Sequence, residues 1–84
     1  MSKKEKLVRR LLARPKDFTF EELATLLGYF GYEVDHGGKT SGSRVKFVNA
    51  NSDALWQHRP HPGNVLKDYQ VKDMIDDLTE RKLL

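Results

Sequence analysis

The residues best suited to chemistry lie between positions 39 and 67, where cations and histidines are interleaved with strand-forming residues. His58 and His61 can give or take protons near neutral pH, because an unperturbed imidazole has a pKa of about 6.5. The cations of the segment are Lys39, Arg44, Lys46, Arg59 and Lys67. Five cations against the single acid Asp53 give this segment a net charge of +4, while the whole chain has +3. This concentration of positive charge favours an anionic partner, and the pattern is typical of a small nucleic-acid site.

The same histidines do not predict a metal site. Pro60 stands between them and prevents a helical pair of ligands, and Asp53 does not provide a third ligand at a convincing spacing. The sequence contains no cysteine, which excludes thiolate ligands and disulfides and suits a reducing cytoplasm. We therefore expect a cytoplasmic protein without a metal or cofactor.

Length and hydropathy limit the possible architecture. Eighty-four residues with 38% hydrophobic content predict one compact domain spanning residues 1–84. The longest apolar runs are too short for a membrane span, and Arg9 and Arg10 interrupt the only candidate for a secretory hydrophobic segment. So small a core gives marginal stability, so we expect a complex with a partner or a homo-oligomer.

Three segments have the apolar spacing of amphipathic helices. The first runs from Ser2 to Arg14 and ends before Pro15; residues 1–16 carry seven cations and one acid, which indicates either a phosphate contact or a solvated face. The second begins at a capping box formed by Thr19 and Glu22. The third is expected to begin with Asp68 as its cap. The apolar stripes are Leu7, Val8, Leu11 and Leu12; Phe20, Leu23, Ala24 and Leu27; and Val71, Met74, Ile75 and Leu78.

Three further segments alternate as strands do: Tyr32–His36, Arg44–Val48 and Ala54–His58. In the second, a period of two places Val45 and Phe47 on the covered face and the cations on the exposed face. Most of the aromatic residues, Trp56 included, are expected to be in the core, although bases could stack on an exposed ring. The predicted fold is α+β, in the order α-α-β-β-β-α, with helices on one face of a three-stranded antiparallel sheet.

From about Phe20 to Leu84, the chain resembles the HicA toxins of bacterial type II toxin–antitoxin systems, whose fold is similar to a double-stranded-RNA-binding domain. The resemblance depends on Gly31-Tyr32, on Gly42-Ser43 at the start of the second strand, on Pro60-x-x-Gly63, and on the closing amphipathic helix. Residues 19–84 would form the family core, and residues 1–16 an additional basic helix. The resemblance implies an mRNA-cleaving endoribonuclease and a HicB-like antitoxin as its partner.

Family members typically carry Gly-Ser-His where this chain has Gly42-Ser43-Arg44, and the resemblance assigns the cleavage chemistry to that histidine. A protonated arginine has no lone pair to accept a proton, although it can bind phosphate bidentately. His61 corresponds to the family's second histidine and is the candidate catalytic residue; alternatively it braces the proline loop. His58 either contacts RNA or packs beside Trp56.

The predicted RNA-binding residues are Gly42, Ser43, Arg44, Lys46, His58, Arg59 and Lys67. Two alternatives remain open. The segment Thr19–Leu27 resembles the first helix of a DNA-binding helix-turn-helix, although a strand follows it instead of a recognition helix. The basic face could also meet an acidic protein, in which case the chain would be a protein-interaction module.

Overall fold

A computed structural model describes residues 2–35, 44–60 and 63–84 of the chain. The elements are α1 (Lys3–Leu12), α2 (Phe20–Tyr29), β1 (Glu33–Val34), β2 (Arg44–Val48), β3 (Ala54–His58) and α3 (Asp68–Glu80). The strands form one antiparallel sheet in the order β1-β2-β3. The α+β fold and the α-α-β-β-β-α order are therefore confirmed, and they are consistent with a double-stranded-RNA-binding-like fold.

The end of α2 explains why β1 is shorter than the predicted strand Tyr32–His36. Gly31 has a φ of +88°, which glycine adopts without a steric penalty. The following N–H, that of Tyr32, donates to Leu27 O at 2.9 Å and closes the helix in a Schellman motif. Tyr32 thus belongs to the helix end, and pairing with β2 begins at Glu33. His36 lies outside the described residues.

The cap of α2 is the predicted residue, whereas the cap of α3 lies one residue before the predicted one. Thr19 accepts from the backbone N–H of Glu22, and Glu22 accepts from the N–H of Thr19, so the predicted capping box is confirmed. The cap of α3 is Lys67 and not Asp68. The prediction was one residue late: the side chain of Gln70, at the third position of the helix, reaches back to accept the N–H of Lys67 at 3.0 Å, which marks Lys67 as the cap although its own side chain makes no capping bond.

The core lies between the sheet and the helices. Its buried apolar side chains are Leu11, Phe18, Phe20, Leu23, Leu26, Leu27, Tyr32, Phe47, Leu55, Leu66, Val71, Met74 and Leu78. Phe20 and Phe47 bring α2 against β2, with ring centroids 5.9 Å apart. Leu11 of α1 is fully buried in the same cluster, so the N-terminal helix contributes to the core. Leu12, counted in the predicted apolar stripe, is half exposed.

Candidate nucleic-acid interface

The face of the sheet opposite the helices carries the basic residues of β2. Phe47 and Leu55 are cross-strand partners that point into the core. Because side chains alternate along a strand, their neighbours point the other way. The register places Arg44 opposite His58 and Lys46 opposite Trp56. These four residues define a surface that we call the outer sheet face.

Trp56 is the middle residue of the edge strand β3, lies on the outer sheet face and is 40% exposed. The expectation that it would be a core residue was wrong. In β3 the inward positions belong to Leu55 and Gln57, and the parity of the strand then forces the indole outward. Its ring contacts two cations: the Arg44 guanidinium carbon lies 4.2 Å from a ring centroid and the Lys46 Nζ 5.5 Å away. Both are cation–π distances.

The two cations of this face differ in their acidic neighbours. Lys46 Nζ lies 3.7 Å from Asp35 Oδ2, and both side chains are about one-third exposed. Within the described residues, Arg44 has no carboxylate at ion-pair distance. Its guanidinium is exposed beside the indole, so of the two it is the better placed to take a phosphate.

An open groove of about 510 Å³ runs along β3 between the outer sheet face and α3. Its strand side contains Arg44, Trp56 and His58. Its helix side contains Tyr69, Asp73, Asp76 and Asp77. Burial raises the pKa of the Asp77 carboxyl above its usual value, and neighbouring acids act in the same direction. The groove therefore has a cationic, aromatic bank and an acidic bank.

A buried pair of glutamines fixes the end of β3 that carries His58. Gln70 Nε2 donates to Gln57 Oε1 and to the backbone O of His58, each at 2.9 Å. Gln57 Oε1 also accepts from the N–H of His58. Both glutamines are buried, where an amide needs such partners. The pair joins α3 to β3 and sets the geometry of one end of the groove.

Of the other predicted site residues, the structure describes Arg59 and Lys67. Arg59 follows β3, but its guanidinium lies over the ring of Phe20, 4.8 Å from the centroid. Lys67 caps α3 and lines a second pocket with Arg14 and Lys16. Neither residue lines the groove. Gly42, Ser43 and His61 lie outside the described residues.

Sequence reasoning missed the helix side of the groove, which consists of Tyr69, Asp73, Asp76 and Asp77, and also the buried Gln70. Tyr69 falls off the apolar stripe of α3, which is the signal that could have placed it on the surface. Gln70 occupies an interior position with a polar side chain, and nothing in its sequence context reveals its partners.

In residues 2–35, 44–60 and 63–84, no group of three or more His, Cys, Asp or Glu side chains could hold a metal ion. No helix in that part of the chain is both long enough and apolar enough to cross a membrane.

The fold is an α+β domain with one helical face and one sheet face that presents cations. A family model described as the HicA toxin of bacterial toxin–antitoxin systems matches residues 20–79. This range is well over half of the chain, and the chain therefore belongs to the HicA toxin family. The predicted resemblance is confirmed, and α1 lies outside the matched range. Comparisons with curated proteins and with solved structures gave no match.

Proposed function

We propose that this HicA-family toxin binds messenger RNA on its outer sheet face and cleaves it as a metal-independent cytoplasmic endoribonuclease. A HicB-like antitoxin would neutralise it. The observation that carries this proposal is the exposed arrangement of Arg44 and Lys46 around Trp56, with His58 opposite Arg44. The cations supply phosphate contacts, the ring supplies a stacking surface, and the imidazole supplies a proton donor or acceptor.

The chemistry requires a group that takes the proton of a 2′-hydroxyl and a group that protonates the leaving oxygen. Arg44 cannot be the base, but it can stabilise charge that develops on the phosphate. His58, the one histidine among the residues that the structure describes, lies directly opposite Arg44, and directly opposed residues of an antiparallel pair have Cβ atoms about 4.5–5.5 Å apart. His61, three residues further on, is the acid–base residue that the family resemblance favours.

The remaining predicted contacts extend this surface. Gly42 and Ser43 directly precede Arg44 in the chain, and we propose that they contact RNA together with it. Arg59 and Lys67 lie away from the groove. In this proposal they contact the RNA backbone beyond the outer sheet face, so their loss weakens binding without removing the chemistry.

The test is induced expression of the wild type and of three histidine variants, followed by measurement of growth and of total RNA integrity. We expect arrest and RNA cleavage from the wild type, and loss of both in His61→Ala or His58→Ala. His36→Ala is the matched control and should retain both activities. Circular dichroism of the purified variants shows whether each is folded. A folded wild type that neither arrests growth nor cleaves RNA would overturn the nuclease proposal.

A second function is favoured by the replacement at position 44. Because Arg44 stands where the resemblance places a catalytic histidine, the chain would be a non-catalytic module that binds RNA, DNA or an acidic protein. RNA bound but left intact would support this function. Capture of an acidic antitoxin-like protein that persists after RNase treatment would indicate a protein-interaction module instead.

A further inference from the structure

We propose that the groove beside β3 takes RNA as a single strand, with one unpaired base stacked on the Arg44–Trp56 pair. The inference rests on the proposed RNA binding and names the form of RNA recognised. It differs from what the fold alone suggests, since a double-stranded-RNA-binding-like fold favours duplex recognition by shape.

The first argument is the exposure of an aromatic ring that the fold does not need in its core. Trp56 is the single tryptophan of the chain and stays 40% exposed. With Arg44 held 4.2 Å from its ring, it offers an indole and a guanidinium plane together. Both surfaces stack on unpaired bases, whereas the bases of a duplex are already stacked on each other.

The second argument is the asymmetry of charge across the groove. Arg44 lies on the strand bank, while Asp73, Asp76 and Asp77 lie on the helix bank. A duplex brings two phosphate backbones, and the second would meet the acidic bank. A single strand brings only one phosphate backbone. That backbone can lie along Arg44 and Lys46 while one unpaired base enters the groove.

The third argument is the position of Tyr69. This side chain is 57% exposed and lines the helix bank of the same groove. It gives the groove an aromatic residue on each side, so a base that enters it meets apolar rings and not only charges. Tyr29 is a matched exposed aromatic, 43% exposed on α2 and outside this groove.

The experiment measures the anisotropy of a fluorescein-labelled unpaired RNA 12-mer and of a perfect duplex of the same sequence, with probe integrity checked on a denaturing gel. We expect tighter binding of the single strand and quenching of the emission of Trp56, which is the only indole. Trp56→Ala should weaken single-strand binding roughly 5- to 150-fold, the range for loss of one base stack. Trp56→Phe should retain most of the binding, and Tyr29→Ala should bind like the wild type.

Salt dependence separates stacking from phosphate contact. Trp56→Ala should leave the slope of log affinity against log salt unchanged, while Arg44→Ala should reduce it by about one. Far-UV circular dichroism confirms that each variant is folded. Should the duplex bind more tightly, or Trp56→Ala bind the single strand as well as the wild type does, this inference fails and RNA binding stands. Failure of both RNA forms to bind the folded wild type overturns the proposed RNA binding itself.

Discussion

Arg81 donates from Nε to Asp53 Oδ2 at 2.7 Å, which joins the residue after α3 to the turn before β3. The hydroxyl of Tyr32 donates to the same carboxylate oxygen. The hydrogen bond from Arg81 is the main reason that the pKa of Asp53 is lowered, and the bond from Tyr32 adds to it. Burial and the adjacent carboxylate raise the pKa of Tyr32. One carboxylate thus holds together the end of α2, the β2–β3 turn and the end of α3.

We expect Asp53→Asn to lower the Tm at pH 7, because the neutral amide has no negative charge to pair with the Arg81 guanidinium. A carboxyl whose folded-state pKa is lowered contributes stability above its unfolded pKa of about 3.9, and this contribution is lost as the pH falls further. The difference in Tm between wild type and variant should therefore shrink below about pH 4. Thermal melts followed by circular dichroism from pH 7 to pH 3 measure it.

A control for this prediction is Asp76→Asn, which removes an exposed i,i+4 pair with Lys72. Exposed pairs of this kind contribute little, so its melts should follow those of the wild type at every pH. A Tm difference for Asp53→Asn that is the same at pH 3 as at pH 7 would contradict the ionic explanation.

The second prediction concerns the glutamine pair behind His58. Gln70→Leu removes the side-chain hydrogen bonds to the His58 carbonyl and the Lys67 N–H and one of the two bonds to Gln57 Oε1, which keeps the His58 N–H. The variant should therefore destabilise the fold by about 3 kcal/mol. Urea denaturation followed by circular dichroism gives the change in the free energy of unfolding.

Gln70→Glu separates lost hydrogen bonds from lost shape. Its carboxylate would face two acceptor oxygens, which raises its pKa in the folded state. The protonated acid can still donate, so the variant should lie closer to wild-type stability at pH 4 than at pH 7. A Gln70→Leu variant as stable as the wild type would show that the pair is not a structural requirement.

Elements of the fold could be predicted correctly where a single local sequence signal determined them. The Thr19–Glu22 capping box and the alternation of β2 each depend on a few adjacent residues, and each occurs as expected. The cap of α3 was placed one residue late because an aspartate is a typical cap and a lysine is not, while Lys67 is the cap without using its side chain. The local signal for β1 was also misleading, since Tyr32 alternates like a strand residue but completes the α2 end.

The third prediction tests whether α1 belongs to the same folding unit as the family core. Leu11 is fully buried and Leu12 is half exposed. Leu11→Ala should therefore lower the free energy of unfolding by about 3 kcal/mol. The adjacent Leu12→Ala should change it by less than about 0.5 kcal/mol. Chemical denaturation of both variants measures the contrast, and equal small effects would mean that α1 is an appended arm.

The candidate site was less accessible from sequence than the fold. Arg44 and Lys46 could be placed on one exposed face from the period of two alone. The exposure of Trp56 depends on which parity of β3 faces the helices, and that was settled by Leu55 and Gln57 together. The separation of Arg59 and Lys67 from this face depends on how the segment after β3 packs, since Arg59 lies over Phe20.

The last prediction is that Arg44→His increases RNA cleavage. The substitution places an imidazole at the position that the family resemblance assigns to a catalytic histidine, opposite His58 in the register. Two facing imidazoles can supply both a base and an acid, and a positioned acid or base contributes about 10²- to 10⁴-fold to a rate. We expect cleavage of a labelled RNA to rise at least about 10²-fold over wild type, with stronger growth arrest on induction.

Arg44→Lys is the matched control, because it keeps the positive charge and cannot accept a proton at neutral pH. It should keep a charge contact to phosphate but lose the stacked guanidinium, so it should bind RNA more weakly than wild type and show no gain in cleavage. Adding His58→Ala to Arg44→His should abolish the gain if the two imidazoles act together. Equal cleavage by Arg44→His and Arg44→Lys, with both folded, would mean that position 44 serves phosphate binding here and that proton transfer depends on other residues.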